Sequence, residues 1–241
     1  MNKVLLFNPR SANYKPRIPN SILAIASSVE RLSEYVIVDV NMETDPWEKI
    51  HQYLSEGGFG YFGCTSMPGP QLKQAIPVSQ NIRALFPEIK IIWGGYFPSN
   101  QSKVVLSSGY VDFVINGPGE KTFPALLHAL EKNEPFELIH NLIYRSGEQI
   151  IKTPKDELYD PDELPALPYD KLNSFYPLKR YLGKTYLGTK TIAYHSSMGC
   201  PFKCSFCAVV PIYNARWRGK SAELIYKDIK HLKDNYGGNA I

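Results

Sequence analysis

Between residues 3 and 131, short runs of β-branched and aromatic residues alternate with stretches of helical period, and that alternation leaves few folds open. Strands separated by helices cannot pair as hairpins, so they must align in parallel and be covered on both faces. Five strands are predicted: Val4–Phe7, Tyr35–Val40, Phe59–Gly63, Ile89–Trp93 and Val111–Ile115. The helix between the first two is expected to start with Asn20 as N-cap and to bury Ile22, Ile25, Ala26, Val29 and Leu32 on one face. The next has Asp45 as predicted N-cap, with Pro46 in its first position. Further helical periods cover residues 72–86, 102–108 and 122–131. The fold class expected is α/β, a flavodoxin- or Rossmann-like doubly wound parallel sheet, whose ligands bind outside the carboxyl ends of the strands.

The pattern then changes. Ile143-Tyr144, a turn at residues 145–148, and Gln149-Ile150-Ile151 read as a hairpin. Five prolines between Pro154 and Pro177, with Asp156, Glu157, Asp160, Asp162 and Glu163 among them, read as a partly extended, acidic inter-domain linker. A strand is expected over Thr191–His195, and a helix over Ala222–Tyr236 closed by Gly237-Gly238. These boundaries give a doubly wound domain over 1–135, a hairpin and linker over 136–178, and a further βα unit over 179–241.

With 44% hydrophobic residues the chain is rich enough in apolar side chains to fold, which excludes disorder as its main description. Its longest apolar runs are far below the ~20 residues needed to cross a bilayer, so no membrane span is expected. The start lacks a secretory pattern, which points to a cytoplasmic protein. A net charge of +4 gives no clear nucleic-acid signal. The charge is nevertheless uneven, because residues 179–241 carry 11 basic and 3 acidic side chains.

That basic tail also holds three of the four cysteines, in Gly199-Cys200-Pro201-Phe202-Lys203-Cys204-Ser205-Phe206-Cys207. Three thiols in one eight-residue loop can converge on a metal centre. A 4Fe-4S cluster takes four cysteine ligands when closed, so three leave one iron open to an exogenous ligand. The competing reading is a non-catalytic zinc module, in which His195 supplies a fourth tetrahedral donor. Cys64 stands alone and reads as a small buried hydrophobe.

Cys-x₃-Cys-x-aromatic-Cys resembles the signature of radical S-adenosylmethionine enzymes. The resemblance matches Cys200, Cys204 and Cys207 to the cluster ligands and Phe206 to the aromatic beside the adenine. It implies S-adenosylmethionine chelated at the open iron and cleaved reductively to a 5′-deoxyadenosyl radical, with a flavodoxin- or ferredoxin-type reducing partner and a small-molecule substrate. Residues 179–241 would then form the first part of a TIM-like (β/α) barrel, and the isolated chain, with that barrel incomplete, is expected not to turn over.

The resemblance extends to members with an N-terminal cobalamin-binding domain. It rests on the loops after the first and third to fifth strands: Asn8, then Thr65 and Ser66, then Gly94 and Gly95, then Gly117, Gly119 and Glu120 within Gly-x-Gly-Glu-x-x-Phe. It implies a corrin over the sheet edge, its nucleotide tail between the first and third strands. Methylases, cyclases and rearrangement enzymes share this architecture. The loop Asn8–Lys15 contains no histidine, unlike cobalamin proteins that displace the lower base with one. A radical enzyme whose N-terminal domain does not bind cobalamin is the remaining alternative.

Overall fold

The structure, a computed structural model, describes residues 2–11 and 16–241. Residues 12–15 of the histidine-free loop lie outside the described residues. In chain order the elements of the first half are β1 (Lys3–Asn8), α1 (Asn20–Val29), β2 (Tyr35–Asp39), α2 (Pro46–Glu56), β3 (Phe59–Thr65), α3 (Leu72–Leu85), β4 (Lys90–Gly94), α4 (Tyr96–Asn100), α5 (Ser102–Ser107), β5 (Phe113–Ile115) and α6 (Thr122–Lys132). They are followed by β6 (Leu142–Ser146), β7 (Gln149–Lys152), α7 (Tyr169–Phe175), β8 (Ser197–Gly199), α8 (Val210–Tyr213), β9 (Trp217–Gly219) and α9 (Ala222–Tyr236).

The main sheet has seven strands in the order β2-β1-β3-β4-β5-β6-β7. The first five are parallel, and the hairpin β6-β7 adds antiparallel to β5. The expected doubly wound fold is present, and the hairpin is part of its sheet rather than an appendage. Val4, Leu5, Leu6 and Phe7 are all 0% exposed, as a central parallel strand covered on both faces requires. Val4 and Leu6 join a core with Ile22 and Leu126, whereas Leu5 and Phe7 join one with Ile50 and Ile82. The period-2 alternation of β1 thus feeds two cores, one per face.

Three expectations are corrected. Asn20 is not the N-cap of α1: Pro19 occupies that position without a side-chain cap, and Asn20 Nδ2 instead donates to Ala193 O at 3.1 Å. The helix ends at Val29, so Leu32 is 50% exposed. No strand forms over Thr191–His195, where Thr191 makes only isolated bridges to Gly183 and Ala240; the strand falls later, at β8, paired with β9. The partly extended linker carries α7 and sends Tyr169, Leu172 and Tyr176 into the same core as Val4 and Leu6, and Leu178 and Tyr181 join that core directly after it. Proline stops long helices there, but large apolar side chains between the prolines still gain about 1.5–3 kcal/mol each by burial.

Asp45 caps α2 as expected, accepting from Glu48 N at 3.0 Å, and Gly237 closes α9 in the left-handed region. Among the described residues no helix is long and apolar enough to cross a membrane.

Candidate functional site

Because β2 lies on one side of β1 and β3 on the other, the chain reverses direction at the carboxyl end of β1 and leaves a crevice there. A cavity of about 700 Å³ occupies it. Of the residues singled out from the sequence, Asn8, Thr65, Gly94, Gly95, Gly117, Gly119 and Glu120 line this cavity.

Close backbone approach explains two of the glycines. Gly95 has φ +98°, and a Cβ there would lie 2.9 Å from Ser66 O. The absence of that atom lets the loops after β3 and β4 lock together, with Ser66 N donating to Gly94 O at 2.9 Å and Phe97 N to Ser66 O at 3.0 Å. A Cβ at Gly119 would meet Ile25 Cδ1 at 2.7 Å, so glycine also sets how close the loop after β5 comes to α1. Ser66 is fully buried and does not line the cavity, and its hydroxyl finds no partner among the described residues.

Glu120 accepts a hydrogen bond from the Tyr159 hydroxyl of the linker. Burial pushes its carboxyl above the usual carboxylate range, against the lowering effect of the bond from Tyr159. Further along, the linker supplies Pro161, Leu164 and Leu167 to the wall.

The remaining wall comes from the cysteine-bearing half: His195, Met198, Gly199, Tyr213 and Lys220. One cavity therefore touches both the strand ends and the segment that enters Cys200. His195 is held below its ordinary pKa by burial and by the Lys220 charge, so it is neutral near pH 7. The cysteine segment is tied to the end of α4 and to the linker. Asn100 Nδ2 donates to Ala208 O at 3.2 Å, Lys155 Nζ to Ile212 O at 3.4 Å, and Arg216 lies 3.8 Å from Glu157. The cavity-lining Tyr96 hydroxyl is pushed up by burial and by the neighbouring Cys207.

Gly199 takes φ +77°, and Cys200 N donates to Arg216 O at 2.9 Å, so the β8-β9 ladder fixes the start of the cysteine loop. Cys207 N donates to Cys204 O at 3.1 Å, which turns the loop back on itself. All three thiols are free; Cys204 is exposed, and Cys200 and Cys207 are half-buried. Among the described residues no three His, Cys, Asp or Glu side chains converge on one metal ion. Three free, soft thiol donors on one loop have the chemistry that an iron-sulfur cluster or a zinc ion takes. Phe206 is 90% exposed and does not line the cavity. Cys64 is buried, with its thiol pushed up by desolvation, as a packed hydrophobe should be.

Sequence reasoning missed Asn20, Asn41, Gln71 and Tyr213, all of which line the cavity. Asn41 was within reach, because it follows a parallel strand and the strand ends form the rim. The others depend on how the chain returns to the sheet.

The B12 binding domain family matches residues 16–127. The uncharacterized methyltransferase PH0819 of Pyrococcus horikoshii is 25% identical over 243 residues, covering 98% of this chain and 51% of the relative. The anaerobic magnesium-protoporphyrin IX monomethyl ester cyclase of Synechocystis is 29% identical over 158 residues, covering 65% of this chain and 30% of the relative. The chain thus spans about half, or less, of the length of these curated relatives. Among solved structures, the cobalamin-dependent S-adenosylmethionine radical enzyme OxsB, with aqua-cobalamin and S-adenosylmethionine bound, superposes with a TM-score of 0.80 at 18% identity, over 98% of this chain and 33% of that one. Residues 16–127 are therefore similar to the B12 binding domain family, and the chain shares the fold of the solved OxsB structure.

Proposed function

We propose that this chain holds the cobalamin and iron-sulfur sites of a radical S-adenosylmethionine enzyme that methylates, cyclises or rearranges an unactivated carbon of a small molecule. The observation that carries this reading is the single cavity bounded on one side by the ends of β1, β3, β4 and β5 and on the other by the residues leading into Cys200. Two cofactors that must cooperate need adjoining sites, and here the walls adjoin. The names of the relatives, a methyltransferase and a cyclase, agree with such chemistry.

When bound, a 4Fe-4S cluster would supply the electron that cleaves S-adenosylmethionine, and the corrinoid a transferable methyl group. The residues of the chain have separate tasks. Cys200, Cys204 and Cys207 would hold the cluster, Cys200 fixed by its bond to Arg216 at the end of the β8-β9 ladder. Asn8, Thr65, Gly94, Gly95, Gly117, Gly119 and Glu120 form the corrin rim, with Ser66, buried next to Thr65, as a further hydroxyl group. Phe206 and Phe202, 90% and 68% exposed, stand on the open side of the cysteine loop, where the adenine and a flavodoxin- or ferredoxin-type electron donor would approach.

Anaerobic reconstitution with iron and sulfide, followed by iron analysis and Mössbauer spectroscopy, tests the reading. Iron should be retained by the wild type and lost in Cys200→Ala, Cys204→Ala and Cys207→Ala, whereas Cys64→Ala should keep it. Zinc in place of iron, or equal loss with Cys64→Ala, would refute the assignment.

A further inference from the structure

At the carboxyl end of β2, Asp39 is 0% exposed and lies outside the cavity wall, although its two neighbours Asn8 and Asn41 are in it. In a Rossmann site an acidic residue in the second strand region takes a ribose hydroxyl directly. Here both oxygens of Asp39 are engaged from within the protein. Oδ1 accepts from Asn8 Nδ2 at 2.9 Å, Asn41 Nδ2 at 2.8 Å and Asn41 N at 3.0 Å. Oδ2 accepts from the Tyr181 hydroxyl at 2.7 Å.

This arrangement decides which way two amides face. An Asn side chain can present either its NH₂ or its carbonyl oxygen to a neighbour, and the two are distinguished only by the partner's chemistry. Asp39 Oδ1 is an acceptor whether or not the carboxyl holds a proton, because a proton would sit on Oδ2 against the Tyr181 hydroxyl. Both amides must therefore give their NH₂ to Asp39, which turns both carbonyl oxygens away from it. No described residue donates to either oxygen. Asn8 is anchored further by the backbone pair Val40 N to Asn8 O at 3.1 Å, and Arg10 Nε donates to Val40 O at 3.1 Å, so the two strand ends move as one piece.

We propose that Asp39 is a positioning residue that presents Asn8 Oδ1 and Asn41 Oδ1 to the cavity as a paired acceptor for N–H or O–H donors of a bound corrinoid. This rests on the cobalamin reading above. A corrinoid offers such donors in two places, the primary amides around the ring and the ribose of the nucleotide tail. Tyr181 belongs to the segment after the linker, so the same carboxylate ties the strap across the core to the ends of β1 and β2.

Spectrophotometric titration of the full chain with hydroxocobalamin, and with cobinamide, which lacks the nucleotide, tests this. Asn41→Ala and Asn8→Ala should each weaken hydroxocobalamin binding about threefold to tenfold, the worth of one hydrogen bond. Asp39→Ala should weaken it at least tenfold. Asp39→Asn should stay within about threefold of wild type, since its carbonyl can accept the three N–H groups and its NH₂ can donate to the Tyr181 hydroxyl. Losses repeated with cobinamide place the donors on the ring amides, and losses confined to hydroxocobalamin place them on the ribose; either supports the proposal. Should Asp39→Ala fail to fold, the half-buried Asn41 decides the question. Wild type that binds while both Asn variants bind equally well overturns this inference alone. Wild type that binds neither corrinoid overturns the cobalamin reading and this inference with it.

Discussion

Lys220 Nζ lies 2.9 Å from Asp228 Oδ2, on side chains only 16% and 12% exposed, and the Tyr194 hydroxyl bridges the two. The pair joins the end of β9 to α9 at the wall of the cavity. A cation so enclosed depends on its partner, and removing one member costs more than the pair itself contributes, because the survivor stays desolvated. Asp228→Ala should therefore destabilise the fold by about 3 kcal/mol in urea unfolding. Lys220→Met combined with Asp228→Leu should recover most of that loss. A double variant as unstable as the sum of the single ones would show that the pair is not the source.

The cap of α2 gives a simpler test of local reading. Asp45 Oδ1 accepts from Glu48 N at 3.0 Å, and the helix has no other side-chain cap at that end. Asp45→Ala should lower stability by about 1 kcal/mol, and Asp45→Ser should restore most of it. Both can be read from chemical denaturation midpoints at constant slope.

The doubly wound half was legible because its signals are local and redundant. Each of β1 to β5 is a short β-rich run, and the Asp45-Pro46 start of α2 declares itself within one turn, as the Gly237 stop of α9 does in the later unit. The strand-end rule then located the rim without any contact information, and seven of the residues it selected line the cavity. What stayed hidden depends on long-range return. Asn20 looks like a cap but spends its amide on Ala193, 173 residues later. The linker reads as partly extended, yet Tyr176 within it and Tyr181 just after it both bond to Asp39. Nothing near residue 181 in the sequence announces that partner. Phe206 is legible only from its place in a motif, and it is 90% exposed, outside the cavity wall.

Gly95 separates backbone freedom from packing. Gly95→Ala adds a Cβ 2.9 Å from Ser66 O at φ +98°, whereas Gly69→Ala, at φ +97°, meets nothing within 4 Å. Gly69→Ala should cost about 1 kcal/mol from conformation alone. Gly95→Ala should cost about 1–3 kcal/mol more, because the loops after β3 and β4 must part, and it should weaken corrinoid retention on a gel-filtration column. Equal losses in the two variants would mean that the loop contact contributes nothing.

Glu120 makes stability depend on pH in a direction opposite to that of a surface carboxylate. Burial raises its folded-state pKa above the ordinary value, and the bond from Tyr159 only partly offsets this. In the window between those two values the folded state holds more proton than the unfolded one, so stability must fall as pH rises through it. The contribution is fully present below the ordinary glutamate range, near pH 4, and is lost once the buried carboxyl ionises. Glu120→Gln removes the titration while keeping an acceptor for the Tyr159 hydroxyl. The difference in melting temperature between Glu120→Gln and wild type should therefore grow in favour of the variant from about pH 4 towards neutrality. A difference that stays flat across that range would mean that Glu120 enters the cavity wall already ionised, with Tyr159 sufficient to hold its charge.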